Sequence, residues 1–226
     1  MRSCDYFARE IAMLQRAFDS HLVHLVAHGT DALIGPYIVM ELETGESLAS
    51  LLDHESQLAP TRAALLASQL LRAVGTLHAQ HILHSDLKPA NVVVRMEGAV
   101  ERCTIIDFGL AHVVDQQHCD VVSGTPAYMA PELLLGAPTS FATDQYAIGI
   151  ILHEMLTGAL PFLDAHGFAE LERQPGECPS RPSWVVGTSL SLLDTTVLRS
   201  LSKDPAQRYG DVIAMARSLD HFIAAA

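Results

Sequence analysis

The stretch His84-Ser85-Asp86-Leu87-Lys88-Pro89-Ala90-Asn91 places a carboxylate, a lysine and an amide within eight residues. It lies in a region of short apolar runs, at residues 82–83, 92–94 and 103–106, which predict strands joined by loops. Asp86 is able to orient a hydroxyl group and to take up its proton. Lys88, two residues later, supplies a compact positive charge. The stretch therefore predicts a polar loop that carries acid–base chemistry.

A second motif, Asp107-Phe108-Gly109, begins sixteen residues after Asn91 and directly follows an apolar run, and a third, Ala130-Pro131-Glu132, follows downstream. Asn91 and Asp107 carry the hard oxygen ligands that suit Mg²⁺, a cation that bridges phosphate oxygens. Alone, each aspartate or asparagine would be read as an ordinary turn residue. Together with Lys88 as a charge for the transferring phosphate, the ordered motifs predict a phosphoryl-transfer site.

The order and spacing of these three motifs resemble those of the protein kinases. Lys88 after the acidic residue, and Gly124-Thr125 before the third motif, are typical of the Ser/Thr form rather than the tyrosine form. The resemblance covers nearly the whole chain and is closest to the bacterial Ser/Thr kinases. It implies an α+β, protein-kinase-like fold, with a mostly helical C-terminal lobe at residues 44–226 that includes the catalytic and activation segments.

The resemblance also implies roles for individual residues in catalysis. A Ser or Thr hydroxyl of a protein substrate would approach Asp86, and Lys88 would steady the phosphoryl group that ATP donates. Thr125 would hydrogen-bond to both. Asn91 and Asp107 would hold Mg²⁺.

Further residues are implied in nucleotide binding and in supporting the site. The implied ATP-binding residues are Glu10, Met40, Glu41, Glu43 and Val93, of which residues 40–43 form the hinge that holds adenine through backbone groups. The implied structural residues are His84 in the catalytic loop, Asp144 as the anchor of that loop, and Glu132 paired with Arg208.

The sequence departs from the kinase pattern in the N-terminal lobe. No Gly-x-Gly-x-x-Gly occurs in the chain, and its two lysines, Lys88 and Lys203, both lie downstream of the position where kinases carry a strand lysine. The helix expected at residues 5–18 carries Glu10, which matches the usual partner of that lysine. Only nine residues precede Glu10. We therefore expect a remnant N-terminal lobe, residues 1–43, with one helix, two strands and the hinge, in a chain that is truncated or translated from a late start.

Three hypotheses remain open on this sequence. The first is a Ser/Thr protein kinase whose activity is reduced by the incomplete lobe. The second is a pseudokinase that acts as a binding or scaffold module. The third is a split kinase, in which a partner or a second copy covers the incomplete lobe. The sequence names neither the protein substrate nor the upstream signal.

The amino-acid composition excludes or disfavours several other classes of protein. Of 226 residues, 49% are hydrophobic and 18% are charged, which excludes a disordered chain. The net charge of −12 disfavours nucleic acid as a partner. No uncharged apolar run is long enough to cross a membrane, and the N-terminus lacks the apolar core of a signal peptide. Four scattered cysteines without a CxxC pair disfavour disulfides and zinc. We expect a cytoplasmic protein.

Overall fold

A computed structural model describes residues 2–114, 124–162, 179–186 and 190–226. The helices are α1 (Arg2–Arg16), α2 (Leu48–Glu55), α3 (Pro60–His78), α4 (Pro131–Leu134), α5 (Phe141–Thr157), α6 (Pro182–Val186), α7 (Ser191–Ser200) and α8 (Val212–Ala225). The strands are β1 (Leu25–Asp31), β2 (Gly35–Met40), β3 (Glu46–Ser47), β4 (Ile82–Leu83), β5 (Val92–Glu97), β6 (Val100–Ile105) and β7 (His112–Val113). Helices thus dominate the chain after residue 47, as the sequence predicts.

Helix α5 forms the centre of the helical lobe and packs against α3 and α7. Thirteen of its seventeen residues are buried, because apolar side chains surround the helix on all sides rather than along one stripe. Ser140 and Thr143 form a capping box at its N-terminus, and Gly158 ends it in the left-handed conformation at φ 72°. Asp144, in the first turn of α5, is therefore buried inside the helical lobe.

A three-stranded antiparallel sheet, in the order β3-β5-β6, lies beside these helices. Its strands β5 and β6 pair from Val92 opposite Ile105 to the end of the hairpin. Ile105 also connects this sheet to the N-terminal segment, since its N–H donates to the carbonyl of His21 and its carbonyl accepts from the N–H of Val23, both at 2.9 Å. The segment after α1 is therefore fixed to the sheet whose strand β5 directly follows residues 84–91.

The N-terminal lobe contains a separate two-stranded sheet, β1 paired with β2. The sequence predicts strands at residues 22–27 and 37–41, whereas the structure has them at Leu25–Asp31 and Gly35–Met40. The Asp31 carboxylate accepts the N–H groups of Leu33 and Ile34 and so closes the turn. Gly35 leaves the turn at φ 81°. The turn is therefore tighter, and the strands longer, than the apolar runs indicate.

The α+β architecture predicted from the sequence is confirmed, with few strands before residue 44 among the described residues. In the described residues, no helix is long and apolar enough to cross a membrane. The predicted boundary between the lobes, after residue 43, stays a prediction.

Two buried histidines make the stability of this fold dependent on pH. Burial lowers the pKa of both His84 and His153 below the usual value near 6.5. His153 is 1% exposed, and its Nδ1 lies 3.0 Å from the carbonyl oxygen of Ala159, so the neutral ring donates this bond. As the pH falls through about 6.5, the unfolded chain takes up protons that the folded chain does not. The free energy of unfolding therefore decreases towards acid pH.

We predict that His153→Gln weakens this dependence, because glutamine keeps a hydrogen-bond donor but does not titrate. The measurement is the melting temperature of wild type and variant between about pH 7.5 and about pH 5.5. Wild type should lose more of its melting temperature over this range than the variant. Equal losses would show that His153 does not contribute.

Candidate active site

The predicted catalytic loop connects β4 to β5, and Asp144 holds it through hydrogen bonds to its backbone. One carboxylate oxygen of Asp144 accepts the N–H of His84 and the other accepts the N–H of Ser85, each at 2.9 Å. Ser85 adopts φ 67°, a left-handed conformation that is costly for a residue with a side chain. The two hydrogen bonds stabilise this backbone conformation and direct the following residue, Asp86, outward.

Asp144 is charged although it is 2% exposed. Burial alone would raise its pKa, but the hydrogen bonds from His78 and from the N–H of His84 hold the pKa below the usual value. Nε2 of His78 lies 2.9 Å from Oδ2 of Asp144. His84 is fully buried next to this group, and its Nδ1 accepts a long hydrogen bond of 3.4 Å from the N–H of Asp86.

Asp86, Lys88 and Thr125 form one hydrogen-bonded group. Nζ of Lys88 donates to Oδ2 of Asp86 at 2.7 Å and to Oγ1 of Thr125 at 2.9 Å. Oδ1 of Asp86 accepts from both the N–H and the hydroxyl of Thr125, each at 2.9 Å. A carboxylate, a cation and a hydroxyl are thus fixed relative to one another at the surface of the loop.

Gly124 allows the backbone before Thr125 to pass close to the predicted catalytic loop. Its φ is 125°, and a Cβ atom built on it would lie 3.0 Å from the carbonyl oxygen of Ser85. A larger residue would therefore be strained and would crowd the catalytic loop. This is why the chain can bring Thr125 within hydrogen-bonding distance of Asp86.

Asn91 and Asp107 are suited to hold a divalent cation. Nδ2 of Asn91 donates to the carbonyl of Asp86 at 3.0 Å, which leaves the amide oxygen as the atom free to bind a metal. The N–H of Ile106 donates to the carbonyl of Asn91 at 3.0 Å and so places the next residue, Asp107, beside it. Oδ1 of Asp107 accepts from the N–H of Gly109 at 2.9 Å. Mg²⁺ needs only one or two such protein oxygens, since water and phosphate complete its shell.

Glu10 extends from α1 towards Asp107. Partial burial raises its pKa, and the negative charge of Asp107 raises it further. Among the described residues, no Lys or Arg forms an ion pair with Glu10. This glutamate therefore lies near a second carboxylate instead of a cation.

The predicted hinge follows β2 and is more open than the catalytic loop. Met40 is 39% exposed. The N–H of Glu41 donates to the carbonyl of His24 at 2.9 Å, and its side chain lies 3.3 Å from the same histidine. Glu43 lies 3.7 Å from Arg95, and Val93 lies half-buried on β5. Met40 and Glu41 are therefore exposed, whereas Glu43 and Val93 are partly buried.

Glu132 and Arg208 form a buried ion pair that joins α4 to the chain before α8. Both terminal nitrogens of Arg208 donate to the carboxylate at 2.7 Å. Further donations go to the carbonyls of Ser202 and Ala142, at 2.9 and 2.8 Å. The Arg208 side chain is 0% exposed. These hydrogen bonds and the opposite charge of Glu132 therefore compensate part of the cost of burying Arg208.

Sequence reasoning missed two contacts at the site. The first is the hydrogen bond between His78 and Asp144, for which the sequence analysis assigns His78 no role. The hydroxyl of Tyr128 donates to Glu154 at 2.8 Å, and burial raises the pKa of both groups. The available signal was a glutamate in the mostly apolar second half of helix α5, since a buried carboxylate needs a hydrogen-bonding partner.

Comparison with known proteins identifies the family. Residues 2–219 match the family model described as "Protein kinase domain". The chain belongs to the protein kinase family. It is 36% identical over 189 residues to the serine/threonine-protein kinase Pkn1 of Myxococcus xanthus, covering 81% of this chain and 27% of Pkn1.

Two further kinases show similar levels of identity. The serine/threonine-protein kinase PkaA of Streptomyces coelicolor is 36% identical over 208 residues, which cover 89% of this chain and 37% of PkaA. The serine/threonine-protein kinase PknB of Mycobacterium tuberculosis is 32% identical over 189 residues, covering 81% and 30%. The chain thus spans 27% to 37% of the length of these three relatives.

We predict that Glu132→Ala strongly destabilises this kinase domain. The substitution leaves the buried Arg208 charge without its partner, a loss that typically costs about 3–5 kcal/mol. The free energy of unfolding would be measured by urea denaturation.

The matched control is Arg72→Ala, which breaks an ion pair between side chains that are 51% and 41% exposed. Such surface pairs contribute about 0–1 kcal/mol. Similar losses in both variants would contradict the special role of the buried pair.

Proposed function

We propose that this chain is a Ser/Thr protein kinase domain that transfers the γ-phosphoryl group of ATP to Ser or Thr hydroxyls of a protein substrate. The observation that supports this most directly is the group formed by Asp86, Lys88 and Thr125. It combines a proton acceptor and a fixed positive charge in the arrangement that phosphoryl transfer to a hydroxyl requires.

In this proposal, Asp86 orients the substrate hydroxyl and receives its proton. The hydroxyl oxygen forms a bond to the γ-phosphorus as the bond from that phosphorus to the bridging oxygen breaks, and ADP leaves with the electron pair. Lys88 stabilises the negative charge on the transferred group. Asn91 and Asp107 would hold Mg²⁺, which would neutralise the negative charge on the phosphate oxygens. Thr125 keeps Asp86 and Lys88 in position.

The adenine end of ATP is assigned to the hinge, with Met40, Glu41, Glu43 and Val93 around it. The phosphate end has fewer groups to hold it, because the 226 residues contain no Gly-rich loop and Glu10 lies near no lysine. A single preorganised donor of this kind contributes about 2.7–4 kcal/mol at a transition state, or about 10²–10³ in rate. We therefore propose that residues 1–226 alone turn over slowly.

A pseudokinase is the second candidate, and the position of Glu10 beside Asp107 favours it. A third version is a split kinase, in which another polypeptide completes residues 1–43 and supplies a cation to Glu10. The internally paired catalytic loop favours the kinase over both. The same proposal includes a cytoplasmic location, a protein as the substrate, and a boundary between the two lobes after residue 43.

The direct test is phosphoryl transfer from MgATP to a generic acceptor protein. We predict that purified residues 1–226 give a weak signal and that Asp86→Asn lowers it by about 10² or more, because the proton acceptor is lost. Asp220→Asn, an exchange of the same atoms on the surface of α8, should leave the rate unchanged. A signal that is equal in wild type and Asp86→Asn would rule out catalysis by this loop.

Nucleotide binding separates the remaining candidates. We predict that calorimetry detects ATP binding that is tighter with Mg²⁺ than with EDTA, and that Asp107→Asn removes this difference because a cation ligand is lost. Binding without transfer would identify a pseudokinase. Binding that is unaffected by both Mg²⁺ and Asp107→Asn would contradict the assigned metal site.

A further inference from the structure

The imidazole ring of His24 lies between two groups that only accept hydrogen bonds. Its Nε2 lies 3.1 Å from the carbonyl oxygen of Asp19, and its Nδ1 lies 3.3 Å from Oε2 of Glu41. A neutral histidine carries a proton on one ring nitrogen, so its other nitrogen would place a lone pair against an acceptor. The ring therefore satisfies both contacts only when both of its nitrogens are protonated.

The aromatic ring of Phe18 favours this charged form of His24. The two ring centroids are 4.9 Å apart, and the ring planes differ by 4°. A cation over the face of an aromatic ring is attracted by the negative charge of that face. Since the side chain of His24 is 31% exposed, the stacked imidazolium also keeps part of its contact with water.

These contacts connect the predicted hinge to the helical lobe. The Oδ2 atom of Asp19 accepts the hydroxyl of Thr76 on α3 at 2.8 Å. At the other end, the N–H of Glu41 donates to the carbonyl of His24 at 2.9 Å. The ring joins Asp19 to the Glu41 side chain only while it carries both protons. Loss of either proton therefore interrupts the connection and leaves Glu41 held through its backbone.

Few other titratable groups face this ring among the described residues. The ring lies in a cleft between α1 and β1, and the other titratable side chains that line this cleft are Glu41 and His28. The carboxylate of Asp19 is bonded to α3 instead. Nε2 of His28 lies 3.2 Å from the side-chain nitrogen of Gln15, and α1 contributes no charged residue to the cleft. Between about pH 5 and about pH 8, His24 and His28 are therefore the groups that change charge here.

We propose that His24 is a proton-dependent clamp on the hinge. The doubly protonated ring joins the carbonyl of Asp19 to the carboxylate of Glu41, and release of one proton to solvent opens one of these hydrogen bonds. The consequence for ligand binding rests on the proposed function, in which residues 40–43 bind adenine. A segment that is already held in place costs less conformational entropy to order on binding. Adenine should therefore bind more tightly at the lower pH.

The clamp itself is tested by NMR of residues 1–226 without nucleotide, between about pH 5 and about pH 8. The ring nitrogen chemical shifts of His24 should report two protonated nitrogens at the lower pH and one at the higher pH. The backbone amide of Glu41 should shift along the same titration curve, because the ring and this residue move as one unit. A Glu41 amide that does not follow the His24 titration would overturn the proposal.

Three variants assign the titration to one ring. His24→Gln carries no charge and should abolish the pH-dependent shift of the Glu41 amide. His24→Arg keeps a cation with several donors at every pH, so it should hold this amide in its low-pH position throughout. His28→Gln is the matched control on the same strand and should leave the titration unchanged. Circular dichroism checks that each variant folds. Equal titration in wild type and His24→Gln would contradict the assignment to His24.

Adenosine extends the test to ligand binding, because it has no phosphate group and its charge is constant in this pH range. We predict that calorimetry finds binding about threefold or more tighter at the lower pH. His24→Gln should remove this difference, and His24→Arg should keep the tighter value at both pH values. Equal affinity at both pH values in wild type would overturn the coupling. Absence of adenosine binding at either pH would contradict the hinge assignment in the proposed function, whereas the NMR titration would still decide the clamp.

Discussion

The Asp144 carboxylate is the group on which the site depends. Its two oxygens accept the backbone N–H groups of His84 and Ser85, and His78 hydrogen-bonds to one of them. Without these bonds, the left-handed conformation of Ser85 would have nothing to offset its cost. The orientation of Asp86 follows from that conformation. A buried carboxylate at the start of a buried helix therefore determines where the partly buried Asp86 carboxylate of the candidate active site lies.

A second set of contacts connects this loop to the rest of the helical lobe. Thr125 hydrogen-bonds to Asp86, and the five residues after it lead to α4, where Glu132 pairs with Arg208. Because Arg208 also donates to the carbonyl of Ala142, just before Asp144, the pair stabilises the same helix that holds the loop. The hydrogen bonds to the predicted catalytic loop and the Glu132–Arg208 pair thus both connect to α5.

The sequence predicts the helical lobe well, because long apolar helices such as α5 have strong patterns and because the motif residues lie close in the chain. The ends of β1 and β2 were placed wrongly, since Asp31 determines the turn through side-chain bonds that an apolar pattern does not contain. The contact of His78 with Asp144 spans 66 residues, and such a pairing has no local signature. The roles assigned to Asn91 and Asp107 remain predictions.

The two lobes differ in how their charges are satisfied. In the helical lobe, the charges of Asp86, Asp144 and Arg208 are all compensated by neighbouring groups. In the expected N-terminal lobe, Glu10 lies near the carboxylate of Asp107, and no Lys or Arg of the described residues forms an ion pair with it. Burial and this like charge both raise the pKa of Glu10. The charges that position the predicted catalytic loop are therefore compensated within the helical lobe, whereas the described residues place no such cation beside Glu10.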